Sequence, residues 1–111
     1  MRRWGLPVLA LAALGAAAPA GPDVAVRVSK RGFEPSRITL RRGETTRLVL
    51  QSADGEHCFA IDALRVEKRV VPGRPTHLDL TPERAGVFPF HCCVESGDAA
   101  RTERGELTVT E

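Results

Sequence analysis

Tyrosine is missing from this sequence, and the single tryptophan, Trp4, lies in a stretch that does not read as part of the working protein. Met1-Arg2-Arg3 gives a charged start, Leu6 to Ala18 an apolar run, and Ala18-Pro19-Ala20 small residues where a signal peptidase would cut. The apolar run falls short of the ~20 residues a bilayer span needs, so no permanent membrane span is expected after cleavage. Residues 1–20 are therefore expected to be a signal peptide, and residues 21–111 one small domain. Charge of one sign is missing too. Losing Arg2 and Arg3 takes Lys plus Arg from 16 to 14, level with the 14 Asp plus Glu. A neutral domain without a basic block offers no footprint for nucleic acid or an anionic membrane surface. Catalytic signatures are also missing. Gly43 and Gly55 stand outside any glycine-rich phosphate loop, and Ser29, Ser36, Ser52 and Ser96 lie in no Gly-x-Ser-x-Gly elbow. An enzyme is not expected.

What is present is a series of short strands. Val24, Val26 and Val28 alternate with Ala25 and Arg27, and Ile38 and Leu40 flank Thr39, the period-two pattern of half-buried strands. Thr45 to Leu50, Cys58 to Ile61, Val66 to Val71, Leu78 to Leu80, Val87 to Cys93 and Leu107 to Val109 continue the series. Arg41-Arg42-Gly43-Glu44, Ser52-Ala53-Asp54-Gly55 and Val71-Pro72-Gly73 supply turns between them. Asp62 to Val70 competes as a helix, but its apolar positions fit a helical face poorly. Seven to eight short strands at a spacing of roughly ten residues predict an all-β, Greek-key β-sandwich.

The unusual chemistry sits in two clusters, His57-Cys58 and His91-Cys92-Cys93. Two histidines and three cysteines in two tight groups are what a soft-metal site looks like. The plainer reading makes the cysteines small buried hydrophobes or disulfide partners. Export would place them in an oxidising compartment, periplasmic or secreted, where three cysteines allow one internal disulfide and leave one thiol over. The sequence by itself leaves that pairing open. His77 lies among polar residues on a strand and reads as a surface histidine.

Phe33-Glu34-Pro35-Ser36-Arg37-Ile38-Thr39-Leu40-Arg41-Arg42-Gly43 resembles the opening of the cupredoxins, small copper-binding β-sandwich proteins. Ser52-Ala53-Asp54-Gly55-Glu56-His57-Cys58-Phe59-Ala60-Ile61 resembles their loop into the first copper histidine. Ala85-Gly86-Val87-Phe88-Pro89-Phe90-His91-Cys92 resembles their run into the copper cysteine, and Gly105 to Val109 their last strand. The match spans most of residues 21–111 and is nearest the copper domain of cytochrome c oxidase subunit II and the iron-transport cupredoxin-like domains.

The resemblance implies copper at His57 and Cys92. Beyond Cys92 the pattern departs from it. Glu95 stands where blue copper proteins have a second histidine, while Ser96, Ala100 and Glu103 stand where the oxidase domain has a cysteine, a histidine and a methionine. Neither centre can be built in its usual form, so a single altered copper site is expected, one ion per chain. Glu103, Cys93 and Glu95 are the candidates for its remaining ligands. His91 should point away from Cys92, because neighbours on a strand face opposite ways. By the same alternation, if His57 and Cys92 share the metal side, Cys58 and Cys93 turn together toward the other and could form a disulfide. The family use would be electron transfer, with copper carriage the close second, each implying a redox or copper-delivery protein partner. The alternatives are a metal-free structural or interaction module stapled by a disulfide, and an accessory domain assembling with an oxidase.

Overall fold

A computed structural model describes residues 23–93 and 103–111, so the expected signal peptide and Glu95 lie outside the described residues. Among the described residues the chain forms nine strands, most of them with alternating apolar and polar residues. They are β1 (Asp23–Ser29), β2 (Gly32–Glu34), β3 (Arg37–Arg41), β4 (Thr46–Ser52), β5 (His57–Ile61), β6 (Val66–Val70), β7 (Thr76–Leu80), β8 (Gly86–His91) and β9 (Arg104–Thr110). The strand beyond the expected seven to eight is β2, three residues whose only alternation is one buried side chain, Phe33, between Gly32 and Glu34. Asp62–Leu64 forms a single 3-10 turn, and the sequence then continues as the edge strand β6, not as a helix. Among the described residues no helix is long and apolar enough to cross a membrane.

The strands form two sheets, ordered β2-β1-β4-β7 and β3-β9-β8-β5-β6. Parallel pairings of β1 with β4 and of β3 with β9 join otherwise antiparallel neighbours. Inward residues of both sheets meet in one core, with Val26, Leu48 and Leu50 on one side and Ile61, Phe90 and Leu107 on the other. Phe33, Phe59 and Phe90 pack with ring centroids 4.9 to 5.7 Å apart, and Phe33 stands edge-on to the other two. Aromatic pairs favour this arrangement because the positive ring edge meets the negative face.

Strand direction brings the candidate residues to one pole. Both β5 and β9 run antiparallel to β8 in the five-stranded sheet. The start of β5, the end of β8 and the start of β9 therefore meet at one end of the sandwich. Gly105, the second residue of β9, lets the strand close there, since a Cβ on it would overlap the Phe90 ring and the Ser36 carbonyl.

Candidate metal centre

His57 opens β5 and is 2% exposed, Cys92 follows β8 at 3%, and Glu103 precedes β9 at 0%. One donor atom from each lies within 4.8 Å of the others. His57 Nδ1 is 2.8 Å from Glu103 Oε1 and 3.9 Å from Cys92 Sγ. The Cys92 sulfur accepts the backbone N–H of Cys58 at 3.2 Å, and the Cys92 N–H donates to the Glu103 carbonyl at 3.1 Å.

The other imidazole nitrogen, Nε2, lies 2.6 Å from Asp54 Oδ1. Asp54 is itself fixed by its turn. Its carboxylate accepts the N–H of Gly55 at 2.7 Å and that of Lys30 at 2.9 Å, and its own N–H reaches Ser52 Oγ at 3.3 Å. The hydrogen bond from His57 and then that from Lys30 pull the Asp54 pKa down to about 2. Burial pushes the His57 pKa down, but the Asp54 hydrogen bond and the negative charges of Glu103 and Asp54 outweigh it, so the net direction is up. Carboxyl oxygens facing both ring nitrogens favour the doubly protonated imidazolium, which agrees with that direction.

Of the expected ligands, the structure brings His57, Cys92 and Glu103 together. Cys93 goes elsewhere: it is bonded to Cys58, with the two Cα atoms 5.2 Å apart. Alternation along the strands puts this bridge on the face opposite His57 and Cys92. His91 also faces away, with Nε2 3.2 Å from the Asp62 carboxylate, and His77 is exposed on β7. Asp54 is the residue that reading for ligands passed over, because Ser52-Ala53-Asp54-Gly55 reads first as turn chemistry. Its place three residues before His57, at the mouth of a tight turn, was the available signal.

The three converging donors fit copper by their chemistry. Imidazole suits either oxidation state, thiolate is soft, and carboxylate is hard enough to favour Cu(II). A further feature points the same way. Glu103 Oε2 is buried and has no hydrogen-bond partner among the described residues, an arrangement that costs free energy unless something else satisfies it. Asp54, bonded to the other ring nitrogen of His57, stands where a carboxylate commonly supports a metal-binding histidine.

Comparison with known proteins places the chain in a family. No curated protein matches the sequence at a significant level. Among solved structures, the periplasmic domain of cytochrome oxidase subunit II of Bradyrhizobium japonicum is similar, with a TM-score of 0.73 at 15% identity over 85% of this chain and 87% of that one. The metal binding domain of the Streptococcus pneumoniae Cu(I) exporting P-type ATPase, solved with Cu(I), gives 0.69 at 17% over 86% and 93%. A mixed disulfide intermediate between a thioredoxin-like protein and subunit II of cytochrome c oxidase gives 0.70 at 17% over 86% of each chain. The family model of the cupredoxin-like domain matches residues 5–109, and the chain belongs to that family.

Proposed function

We propose that this chain is an exported copper protein that holds one ion at the pole of the sandwich and serves electron transfer or copper carriage, not catalysis. The observation that carries the reading is the buried convergence of His57, Cys92 and Glu103, with one carboxyl oxygen of Glu103 left over. In this reading His57 binds through Nδ1 and gives up that proton, while Asp54 keeps the proton on Nε2 and holds the ring in place. Cys92 binds as the thiolate, and the Cys58 N–H donated to its sulfur tunes the site's potential. Glu103 supplies the hard donor where the oxidase domain resembled here carries a thioether, which lowers the potential. Bound copper supplies a one-electron couple.

The similar structures support this reading. One is a domain of subunit II of a cytochrome oxidase and another is the metal binding domain of a Cu(I) exporter. A third was captured in disulfide exchange with a thioredoxin-like protein, which supports a redox protein as partner. A periplasmic or secreted location fits the disulfide, which persists in oxidising compartments. A native protein beginning at Gly21 by intact mass is the expected result, and one retaining Trp4 would remove the export argument.

The rival, a metal-free module stapled by Cys58–Cys93, draws on the fact that both His57 nitrogens already face carboxyl groups. Copper titration separates the two. The expected result is one copper per chain and a thiolate charge-transfer band that disappears in Cys92→Ser, seen easily because residues 21–111 contain neither Trp nor Tyr. Equilibrium dialysis with no copper retained at micromolar concentration would leave only the module.

A further inference from the structure

We infer that the Cys58–Cys93 disulfide is the clamp that keeps the two principal donors of the copper site together, and that its reduction by a protein dithiol unloads the site. This rests on the copper reading above and adds a control to it.

The placement of the bridge carries the inference. Its two ends each adjoin a donor: Cys58 follows His57, and Cys93 follows Cys92. The donors are 35 residues apart in the chain, so their meeting depends on contacts between β5 and the end of β8. The ladder there is short. Among the described residues β5 and β8 register one pair, Ala60 with His91, and β8 ends at His91. Beyond that point the main chain of Cys92 is tied toward β9, through its N–H to the Glu103 carbonyl. Toward β5, the ties at the donors among the described residues include the Cys58 N–H to Cys92 Sγ, the approach of Cys92 Sγ to His57 Nδ1 and the disulfide itself. A covalent bond therefore stands where further ladder hydrogen bonds would otherwise hold the strands. Without it, the approach of Cys92 to His57 loses its covalent tie and rests on non-covalent contacts alone.

The bridge can also be reached. Cys93 is half-buried while Cys58 is buried, so attack falls on the Cys93 sulfur. A thiolate of the dithiol bonds to Cys93 Sγ, and the S–S bond breaks to leave Cys58 as a thiolate that takes up a proton. The second thiol of the reductant then displaces Cys93. Two electrons and two protons have passed to this chain, and the reductant is left as a disulfide.

The experiment compares copper affinity in the oxidised wild-type chain and in the double variant Cys58→Ser/Cys93→Ser, by competition with a Cu(I) chelator under anaerobic conditions. Losing the support of a ligand typically costs about 10–100-fold in metal affinity, and that loss, with a displaced thiolate charge-transfer band in the separately prepared Cu(II) form, is expected while the far-UV spectrum stays that of a β-protein. A folded double variant with unchanged affinity and band overturns the clamp. Copper fully retained by Cys92→Ser overturns the site reading instead, so the two failures are distinguishable. Should the double variant fail to fold, wild-type protein reduced by a phosphine, desalted and later re-oxidised decides the matter. Release on reduction with recapture on re-oxidation supports the clamp, and equal retention in both states overturns it.

Discussion

Glu103 Oε1 lies 2.8 Å from His57 Nδ1 although the two residues are 46 positions apart, and both side chains are buried. The second oxygen of that carboxyl group is buried and faces no donor among the described residues. The pair makes sense as part of a donor set completed by Cys92.

Removing Glu103 should therefore act on both binding and stability. Glu103→Ala is expected to weaken copper binding and to shift the visible spectrum more than Glu95→Ala. Breaking a buried charged pair costs roughly 3–5 kcal/mol, and the low end applies because Asp54 still holds the other ring nitrogen. A metal-free Glu103→Ala protein as stable as wild type in urea would contradict the buried pairing.

In the proposed copper site Asp54 would act only through His57, as a positioning residue. Asp54→Ala should lower copper affinity by about 10–100-fold without changing the stoichiometry. Asp54→Asn keeps a hydrogen-bond acceptor and should recover part of the loss. Titration calorimetry reads both, and equal affinities in all three proteins would exclude the support assigned to Asp54.

The two shifted groups give the metal-free protein an expected pH profile. His57 has a raised folded-state pKa, so its contribution is complete below about pH 6.5 and is lost as pH rises through the folded value. Asp54, lowered to about 2, contributes fully above the ordinary carboxylate value and loses that contribution as pH falls toward about 2. Thermal melting should thus be highest between about pH 4 and 6.5. Copper binding should run the other way and strengthen above that range, because the ion competes with the Nδ1 proton. A metal-free chain that gains stability from pH 6.5 to 8.5 would refute the raised His57 value.

Gly105→Ala tests how tightly the pole closes. The added methyl group would overlap the Phe90 ring and the Ser36 carbonyl, and the neighbouring backbone bond from Glu106 N–H to Ser36 O at 2.9 Å resists movement. Overpacking costs about 1–3 kcal/mol, which for a domain of this size lowers the melting temperature by roughly 4–8 °C per kcal/mol. Because Glu103 lies two residues before Gly105, copper affinity should fall as well. An unchanged melting temperature would mean that β9 sits farther from Phe90 than the structure places it.

Local chemistry made much of this legible in the chain itself. Period-two alternation marks β1, β3, β7 and β9 because each buries one face and exposes the other. The same alternation allowed Cys58 to pair with Cys93 if His57 and Cys92, as the family resemblance implied, shared one side, and the strand register of the structure supplies that condition. β2 escaped because three residues are too few to show a period, and Phe33 reveals its strand only through its packing on Phe59 and Phe90. Asp54 escaped because an aspartate before glycine serves a turn equally well with or without a histidine to orient.

The sequence by itself determined the residue types available at the pole: two histidines and three cysteines in two clusters, and a loop without the usual histidine or methionine. It could not choose among the carboxylates after Cys92, because side chains that far apart in sequence converge only through the pairing of separate strands. That choice belonged to the tertiary structure. The antiparallel register of β8 with β9 sets His91 opposite Arg104, which brings Glu103 beside Cys92, and β5 running antiparallel to β8 delivers His57 to the same end. Hydrophobic burial of the three strands fixes their register, since a slip of one residue would turn Phe59, Phe90 and Leu107 out of the core. The donors at the strand ends are carried to one another by that constraint.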